Sequence, residues 1–164
     1  APSPPTAVSP DDAGSDDPAA AREYLLASHV DTIAEVLAAA DAVAADWRRL
    51  DDGRPATPDS DALVRSLRTE LDERGVLETL PSVLVSAVDA AGYTLPATPV
   101  PAPPYVVVTS TGPVLRGTVD DGRLVVGIDC FEVVREPPGV SATVAYALPE
   151  SSPAAALSVS FERE

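Results

Sequence analysis

The chain has 164 residues and a formal net charge of −15, from 26 acidic and 11 cationic side chains, and every cation is arginine because lysine is absent. Such an acidic surface repels phosphate backbones and anionic membranes, so the composition argues against nucleic-acid and membrane partners. The single cysteine, Cys130, excludes an internal disulfide and fits a reducing cytoplasm, and no apolar run approaches the ~20 residues that a bilayer span needs.

The first predicted element is a long amphipathic helix. Residues 1–16 mix Pro, Ser, Ala and Asp without periodicity, and we expect them to form a disordered tail. The helical part, residues 17–95, begins at Asp17-Pro18, a carboxylate cap before a proline at the first helical position. Apolar residues then recur at steps of three and four. They are Leu26, Val30, Ile33, Leu37, Ala40, Ala44 and Trp47.

The length of this helix leaves two arrangements open. Unbroken over residues 18–50, it would extend about 50 Å, which is longer than a small domain is wide. Either it breaks near Ser28-His29-Val30-Asp31, or one end projects and pairs with another surface. Because the stripe suits another helix or a sheet, we expect the helix from Leu26 to Trp47 to be the main partner-binding element.

Two shorter helices are predicted before a proline-rich linker. The first is capped by Asp59 and Ser60, carries a leucine face from Leu63 to Leu71, and ends before Gly75. Pro81 begins the second. Residues 96–104 form an extended linker because prolines are dense there. These helices and the following hairpin also allow a winged-helix DNA-binding interpretation, which is less favoured because the recognition helix would contain no arginine.

Residues 105–164 alternate between apolar and small polar side chains, which is typical of an antiparallel sheet with one buried face. We therefore predict an α+β fold, with N-terminal helices packed on one face of a C-terminal antiparallel sheet of about five strands. The expected buried residues are Leu115, Val126, Ile128, Val144, Val159 and Phe161. Those expected on the opposite face include Arg116, Thr143, Ser158 and Ser160.

A hairpin turn at Asp121-Gly122 sets a predicted register in which Val119 faces Leu124 and Leu115 faces Ile128. Gly127 then lies opposite Arg116, and Asp129 becomes its diagonal cross-strand neighbour. We interpret Arg116 and Asp129 as an ion pair on the open face of the sheet, with a ligand-binding role as the alternative.

Two further residues are weaker candidates. His29 is separated from Asp31 and Glu35 by two and six positions, offsets that do not bring the three side chains onto one helical face. Cys130 lies on the predicted buried face, where a free cysteine is usually a small hydrophobe. Zinc spacing, a nucleotide-binding glycine loop and a Gly-x-Ser-x-Gly elbow are absent from the sequence, so no cofactor, metal or catalytic residue is assigned.

The composition also indicates an environment. Lys, Asn, Gln and Met are all absent, which resembles proteins of the salt-rich haloarchaeal cytoplasm. In molar salt the Debye length falls to roughly 3 Å, so a large negative charge is tolerated. The stretch GYTLPATPVPAPPYVVVTSTGPVLRGTVDDGRLVVGIDCFEVVRE is similar to a family of uncharacterised small acidic haloarchaeal proteins. That resemblance implies no activity and assigns no site residue.

We therefore expect a non-catalytic protein-interaction or assembly module in a halophile's cytoplasm, dependent on high salt and either bound to a protein partner or self-associated. The alternative is a small-ligand-binding or enzymatic domain with a pocket between helices and sheet, using Arg116, Asp129 or Cys130. A deep pocket with convergent polar groups would favour the alternative. A flat polar sheet face and an exposed apolar helix stripe would favour the first.

Overall fold

The computed structural model describes residues 10–120, 122–135 and 144–163, with the side chains of the first helix described from Pro18 onward. The helices are α1 (Pro10–Ser28), α2 (Val30–Ala44), α3 (Ser60–Glu73), α4 (Val76–Ala90) and the short α5 (Pro153–Ala156). The strands are β1 (Ala56–Thr57), β2 (Val106–Thr109), β3 (Gly112–Val119), β4 (Gly122–Ile128), β5 (Glu132–Arg135), β6 (Val144–Ala147) and β7 (Leu157–Arg163).

The long N-terminal helix is broken at His29, one of the two arrangements that the sequence left open. His29 has φ −126° and ψ 21°, outside the helical region, while α1 ends at Ser28 and α2 begins at Val30. The His29 N–H donates to the Leu25 carbonyl at 2.8 Å and the Ile33 N–H donates to the His29 carbonyl at 3.1 Å, so His29 closes the last turn of α1 and the first turn of α2. The helical hydrogen-bond ladder is interrupted between these two bonds, and the chain changes direction there.

The predicted starts of two helices are wrong, both because a proline was placed at the first position. α1 begins at Pro10, so residues 10–16 of the predicted tail are helical, and Pro18 lies inside the helix; residues 1–9 fall outside the described residues. α4 begins at Val76, after Gly75 with φ +76°, and contains Pro81. An internal proline forfeits one backbone hydrogen bond. In α4, the burial of Val76, Leu77 and Leu80 offsets that loss.

The strands form two antiparallel sheets rather than one of about five strands. A four-stranded sheet has the order β2-β3-β4-β7, and a three-stranded sheet has the order β1-β6-β5. The α+β class, with helices N-terminal and most strands C-terminal, is confirmed. The two sheets divide where the chain leaves β4: Phe131 packs against Trp47 with ring centroids 5.1 Å apart, and β5 begins at the next residue.

One hydrophobic core joins the helices to the four-stranded sheet. α3 lies against β2, α4 against β3 and β4, and α1 against β7, while α2 packs on α3 and α4. Ile33 of α2 is fully buried in this core, and Leu37 and Trp47 are partly buried against it. The predicted partner-binding stripe therefore faces the interior of its own chain. Other fully buried side chains include Leu25, Leu67, Leu71, Leu80, Leu84, Leu115, Leu124 and Ile128.

The β3–β4 register differs by two residues from the predicted one. Val119 pairs with Gly122 and Leu115 pairs with Val126. Gly122 is therefore the first residue of β4 and not part of the turn, and both registers allow a two-residue connection. A two-residue shift leaves every side chain on its predicted face. Leu115, Val126 and Ile128 are buried, Arg116, Ser158 and Ser160 are exposed, Val159 and Phe161 are partly buried, and Thr143 lies outside the described residues.

The predicted faces of β6 are reversed. Ala145 and Ala147 are fully buried in a small cluster with Leu50 and Ala56, whereas Val144 is only partly buried. The reason is that β6 belongs to the three-stranded sheet, where it pairs with β1 and β5. The close packing of this small cluster suits alanine better than a branched side chain.

Candidate functional site

The outer side of the four-stranded sheet, which we name the open sheet face, is not covered by any helix in the described parts of the chain. Val107 lies opposite Val114, and Val125 lies opposite Arg116, so three valines form a partly buried strip across β2, β3 and β4. Small and charged side chains surround the strip. The face comprises Val107, Val114, Arg116, Thr118, Arg123, Val125, Gly127, Ser158, Ser160 and Glu162.

Arg116 and Asp129 do not form the predicted pair. Because of the shifted register, Arg116 lies opposite Val125, and Asp129 follows the last residue of β4 with its N–H donating to the Ala156 carbonyl at 2.9 Å. The ion pair on the open sheet face is instead Arg123–Glu162, at 3.2 Å between directly opposed residues. Arg116 is exposed and has no ionic partner among residues 10–120, 122–135 and 144–163.

Cys130 is a buried cysteine with low reactivity. Its thiol is 1% exposed and donates a weak hydrogen bond to the Ile128 carbonyl at 3.7 Å. Burial, followed by the negative charges of Asp129 and Asp41, raises the pKa of Cys130 to about 12. The thiol is therefore protonated at neutral pH and is not a nucleophile. Partial burial also raises the pKa of Asp129, which borders a cleft of about 460 Å³.

His29 lies in the kink between α1 and α2, apart from the other predicted residues. Its Nε2 is 2.9 Å from the Ser86 hydroxyl oxygen of α4, and the Tyr24 ring packs edge-on with centroids 6.4 Å apart. In the described part of the chain no carboxylate is hydrogen-bonded to His29. The four candidates of the sequence analysis therefore lie on three separate parts of the fold: Arg116, the neighbours Asp129 and Cys130, and His29.

A second feature, which sequence reasoning missed, is a cleft of about 970 Å³ at the edge of the three-stranded sheet. β1 and β6 pair at Ala56 and Ala147, the Leu148 N–H donates to the Pro55 carbonyl, and beyond this bond the two chain segments separate. We name the gap the polar cleft; its walls are the 49–55 turn and residues 148–151, with Asp41 of α2 beside them. The two segments are far apart in sequence, and a two-residue strand has no periodicity that could have revealed their pairing.

Arg54 holds one wall of the polar cleft in place. Its guanidinium donates to Asp52 at 2.7 and 2.8 Å and also forms an ion pair with Glu132 of β5. The side-chain hydrogen bond from Arg54 holds the pKa of Asp52 below its ordinary value. Arg49 donates from Nη1 to the Gly53 carbonyl at 2.7 Å. The turn therefore presents fixed charges to the cleft.

Two kinds of site have no counterpart among the described residues. Within the described ranges, no three His, Cys, Asp or Glu side chains come together as metal ligands. None of the helices that the structure describes combines the length and the apolar character needed to cross a membrane.

Comparison with known proteins adds one relationship. No curated protein and no solved structure matches the chain. One family model, described as "Domain of unknown function (DUF7988)", matches residues 19–162. Since that match covers most of the chain, from the middle of α1 to Glu162 in β7, the chain belongs to this family of uncharacterised domains.

Proposed function

We propose that the chain is a non-catalytic protein-interaction module of a haloarchaeal cytoplasm, and that it binds an acidic protein partner through the open sheet face. The observation that carries this proposal is Arg116: an exposed arginine beside a strip of three valines, on a sheet face that no described helix covers. Arginine is enriched at the centres of protein interfaces, and the apolar strip beside Arg116 can be desolvated by a partner.

Charge distribution supports an acidic partner. The chain carries a net charge of −15, yet the charged side chains within the strands of the open sheet face are Arg116, Arg123 and Glu162; the Asp129 carboxylate lies at one end of the face, beside Gly127. On contact, an acidic surface is attracted to the arginines of this face and repelled by the acidic surface elsewhere on the chain. In molar salt the Debye length is about 3 Å, so only charges in direct contact with the partner contribute to binding. The guanidinium of Arg116, which has no ionic partner in the described parts of the chain, is therefore the principal attractive group.

Self-association through the same face is less favourable. A two-fold contact brings the same patch of each copy together. Two copies each of Arg116 and Arg123 would then meet, with one Glu162 from each copy to balance them. A different protein with exposed carboxylates avoids this excess of like charge.

The other surfaces considered in the sequence analysis offer less. The stripe of α2 packs into the core at Ile33, so it is not available to a partner. The winged-helix alternative needs α4 as a cationic recognition helix. The exposed side chains of α4 are Glu78, Thr79, Ser82, Val85 and Asp89, which include no cation. The haloarchaeal setting rests on the absence of lysine together with the acidic excess.

Affinity capture from a haloarchaeal lysate in about 2 M KCl tests the proposal. Bait carrying Arg116→Glu should lose at least about tenfold in affinity for the captured protein, since a central interface arginine contributes more than about 1.4 kcal/mol. Arg65→Glu is the matched control, because Arg65 is an exposed arginine of α3, away from the sheet face. The control should bind as the wild type does.

Equal capture by both variants would contradict the proposal. Light scattering of the purified chain in the same salt shows whether a second copy of the chain, and not another protein, covers the open sheet face. A dimer that Arg116→Glu dissociates would show that a second copy, and not an acidic partner, covers the face.

A further inference from the structure

The polar cleft is an open groove whose two walls are joined by backbone hydrogen bonds at its base. The Leu148 N–H donates to the Pro55 carbonyl at 2.9 Å, and Ala56 pairs with Ala147, so the two segments are tied together at the base of the cleft. The Arg54 guanidinium, bonded to both Asp52 and Glu132, ties the same turn to β5. The volume of this open groove, about 970 Å³, is large enough for a small molecule.

Some charged side chains around the polar cleft form ion pairs within the described parts of the chain, and others do not. Arg54 is paired with both Asp52 and Glu132, which leaves these three side chains with one net negative charge. Arg49 donates from one nitrogen to the Gly53 carbonyl, and a guanidinium has five N–H donors. Its remaining donors have no partner in the described parts of the chain, and there neither Asp41 nor Glu150 forms an ion pair. One cation and two carboxylates thus remain to receive a ligand.

We infer that the polar cleft binds a small zwitterion with an ammonium and a carboxylate group: a free amino acid or a short peptide. The carboxylate would accept hydrogen bonds from Arg49, whose planar donors suit that group. The ammonium would lie toward Asp41 and Glu150. A ligand of one sign would satisfy one of these sets and be repelled by the other. The site uses no residue of the open sheet face, so it is independent of the proposed partner surface.

NMR titration of the full chain in about 2 M KCl tests this inference, with L-alanine, dialanine and trialanine as zwitterionic probes of increasing charge separation. At least one of them should shift the amide resonances of Gly53, Arg54 and Ser151 in a saturable manner. Acetate and ethylammonium, which carry one half of the charge pattern each, should bind at least about tenfold more weakly.

Neighbouring arginines provide the matched variants. Arg49→Gln should weaken binding of the best probe at least about tenfold. Arg48→Gln should bind as the wild type does, because Arg48 is exposed and does not line the cleft. If loss of the Arg49–Gly53 bond unfolds the turn, Glu150→Gln tests the ammonium half instead, with the exposed Glu73→Gln as its control.

Three results would overturn the inference. The first is the absence of saturable shifts with all three zwitterions. The second is ethylammonium binding as tightly as the best zwitterion, which would make the cleft a simple cation site. The third is an equal loss of binding in Arg48→Gln and Arg49→Gln, which would place the effect outside the cleft.

Discussion

His29 Nε2 and the Ser86 hydroxyl oxygen are 2.9 Å apart, and this hydrogen bond joins the kink between α1 and α2 to the middle of α4. Both residues are partly buried, and the Tyr24 ring covers one edge of the imidazole. A bent helix needs a fixed bend angle if both of its halves are to reach the core. The chain's single histidine therefore has a structural role that its sequence position near a possible break did not specify.

A double-mutant cycle measures this role. Ser86→Ala and His29→Ala should each lower the free energy of unfolding by about 1 kcal/mol, because each leaves a partly buried polar partner unpaired. The double variant should lose less than the sum, with a coupling of about 0.5–1.5 kcal/mol. Ser82→Ala, an exposed serine one turn earlier in α4, is the control and should change little. Strict additivity in urea unfolding would show that the contact contributes nothing.

Gly112, at the start of β3, should not tolerate a side chain. Its φ is +137°, and a Cβ there would collide with the Ile128 carbonyl oxygen, a backbone atom that cannot move aside. Gly112→Ala should cost more than about 2 kcal/mol of stability. Gly53→Ala is the control for backbone strain alone. Gly53 has φ +92°, but nothing lies within 4 Å of the position that its Cβ would take, so no collision is added. Thermal unfolding should rank Gly112→Ala well below Gly53→Ala, and equal midpoints would contradict the steric argument.

The elements that the sequence predicts best are those with local signals. Asp59 caps α3 by accepting the Ala62 N–H at 3.0 Å, and the Leu63–Leu71 face is buried, as capping chemistry and periodicity indicate. The predicted starts of α1 and α4 are wrong because Pro18 and Pro81, which were expected at the first helical position, lie inside the helices. A proline at the first helical position and one inside a helix look alike in sequence, and tertiary burial decides between them.

The parts that sequence could not predict depend on long-range pairing. Periodicity fixed which face Arg116 occupies but not its opposite residue, because a two-residue slip leaves the alternation unchanged. The polar cleft depends on the pairing of Ala56 with Ala147, which no local pattern encodes. The Arg54–Glu132 ion pair follows from the same pairing, since β6 brings β1 and β5 into one sheet.

Cys130 should resist modification in the folded chain. With a pKa of about 12, its thiolate fraction at pH 8 is about 10⁻⁴, and the side chain is buried as well. A disulfide reagent such as DTNB should therefore react at the rate of unfolding, and rapidly after denaturation. Stoichiometric reaction of the native chain within minutes would contradict the burial.

The same raised pKa makes stability depend on pH. The unfolded thiol ionises near pH 8.5 and the folded one near 12, so the unfolded state releases its proton first as pH rises. Stability should be unaffected by this group below about pH 8 and should fall above it, by up to about 1.4 kcal/mol per pH unit. Cys130→Ala lacks this contribution. The difference in unfolding free energy between the two chains should therefore change between pH 8 and pH 10.

Folding should require salt. The acidic excess persists through the folded body, since residues 61–164 carry 7 arginines against 14 acidic residues. Screening of this repulsion should raise the unfolding midpoint steeply between about 0.1 and 0.5 M KCl, where the Debye length falls below the spacing of surface charges. Circular dichroism across a KCl series measures the midpoint.

Sucrose at the same osmolality as the KCl solutions is the control for stabilisation by excluded cosolutes. Sucrose stabilises folded proteins but does not screen charge, so it should raise the unfolding midpoint less than KCl does. Asp72→Asn with Glu73→Gln removes two exposed acids at the C-terminal end of α3, where the helix dipole already disfavours negative charge. This variant should be more stable at low salt and should gain less from KCl. A midpoint that does not change between about 0.1 and 2 M KCl, or an identical salt response of the variant, would show that charge repulsion does not limit folding.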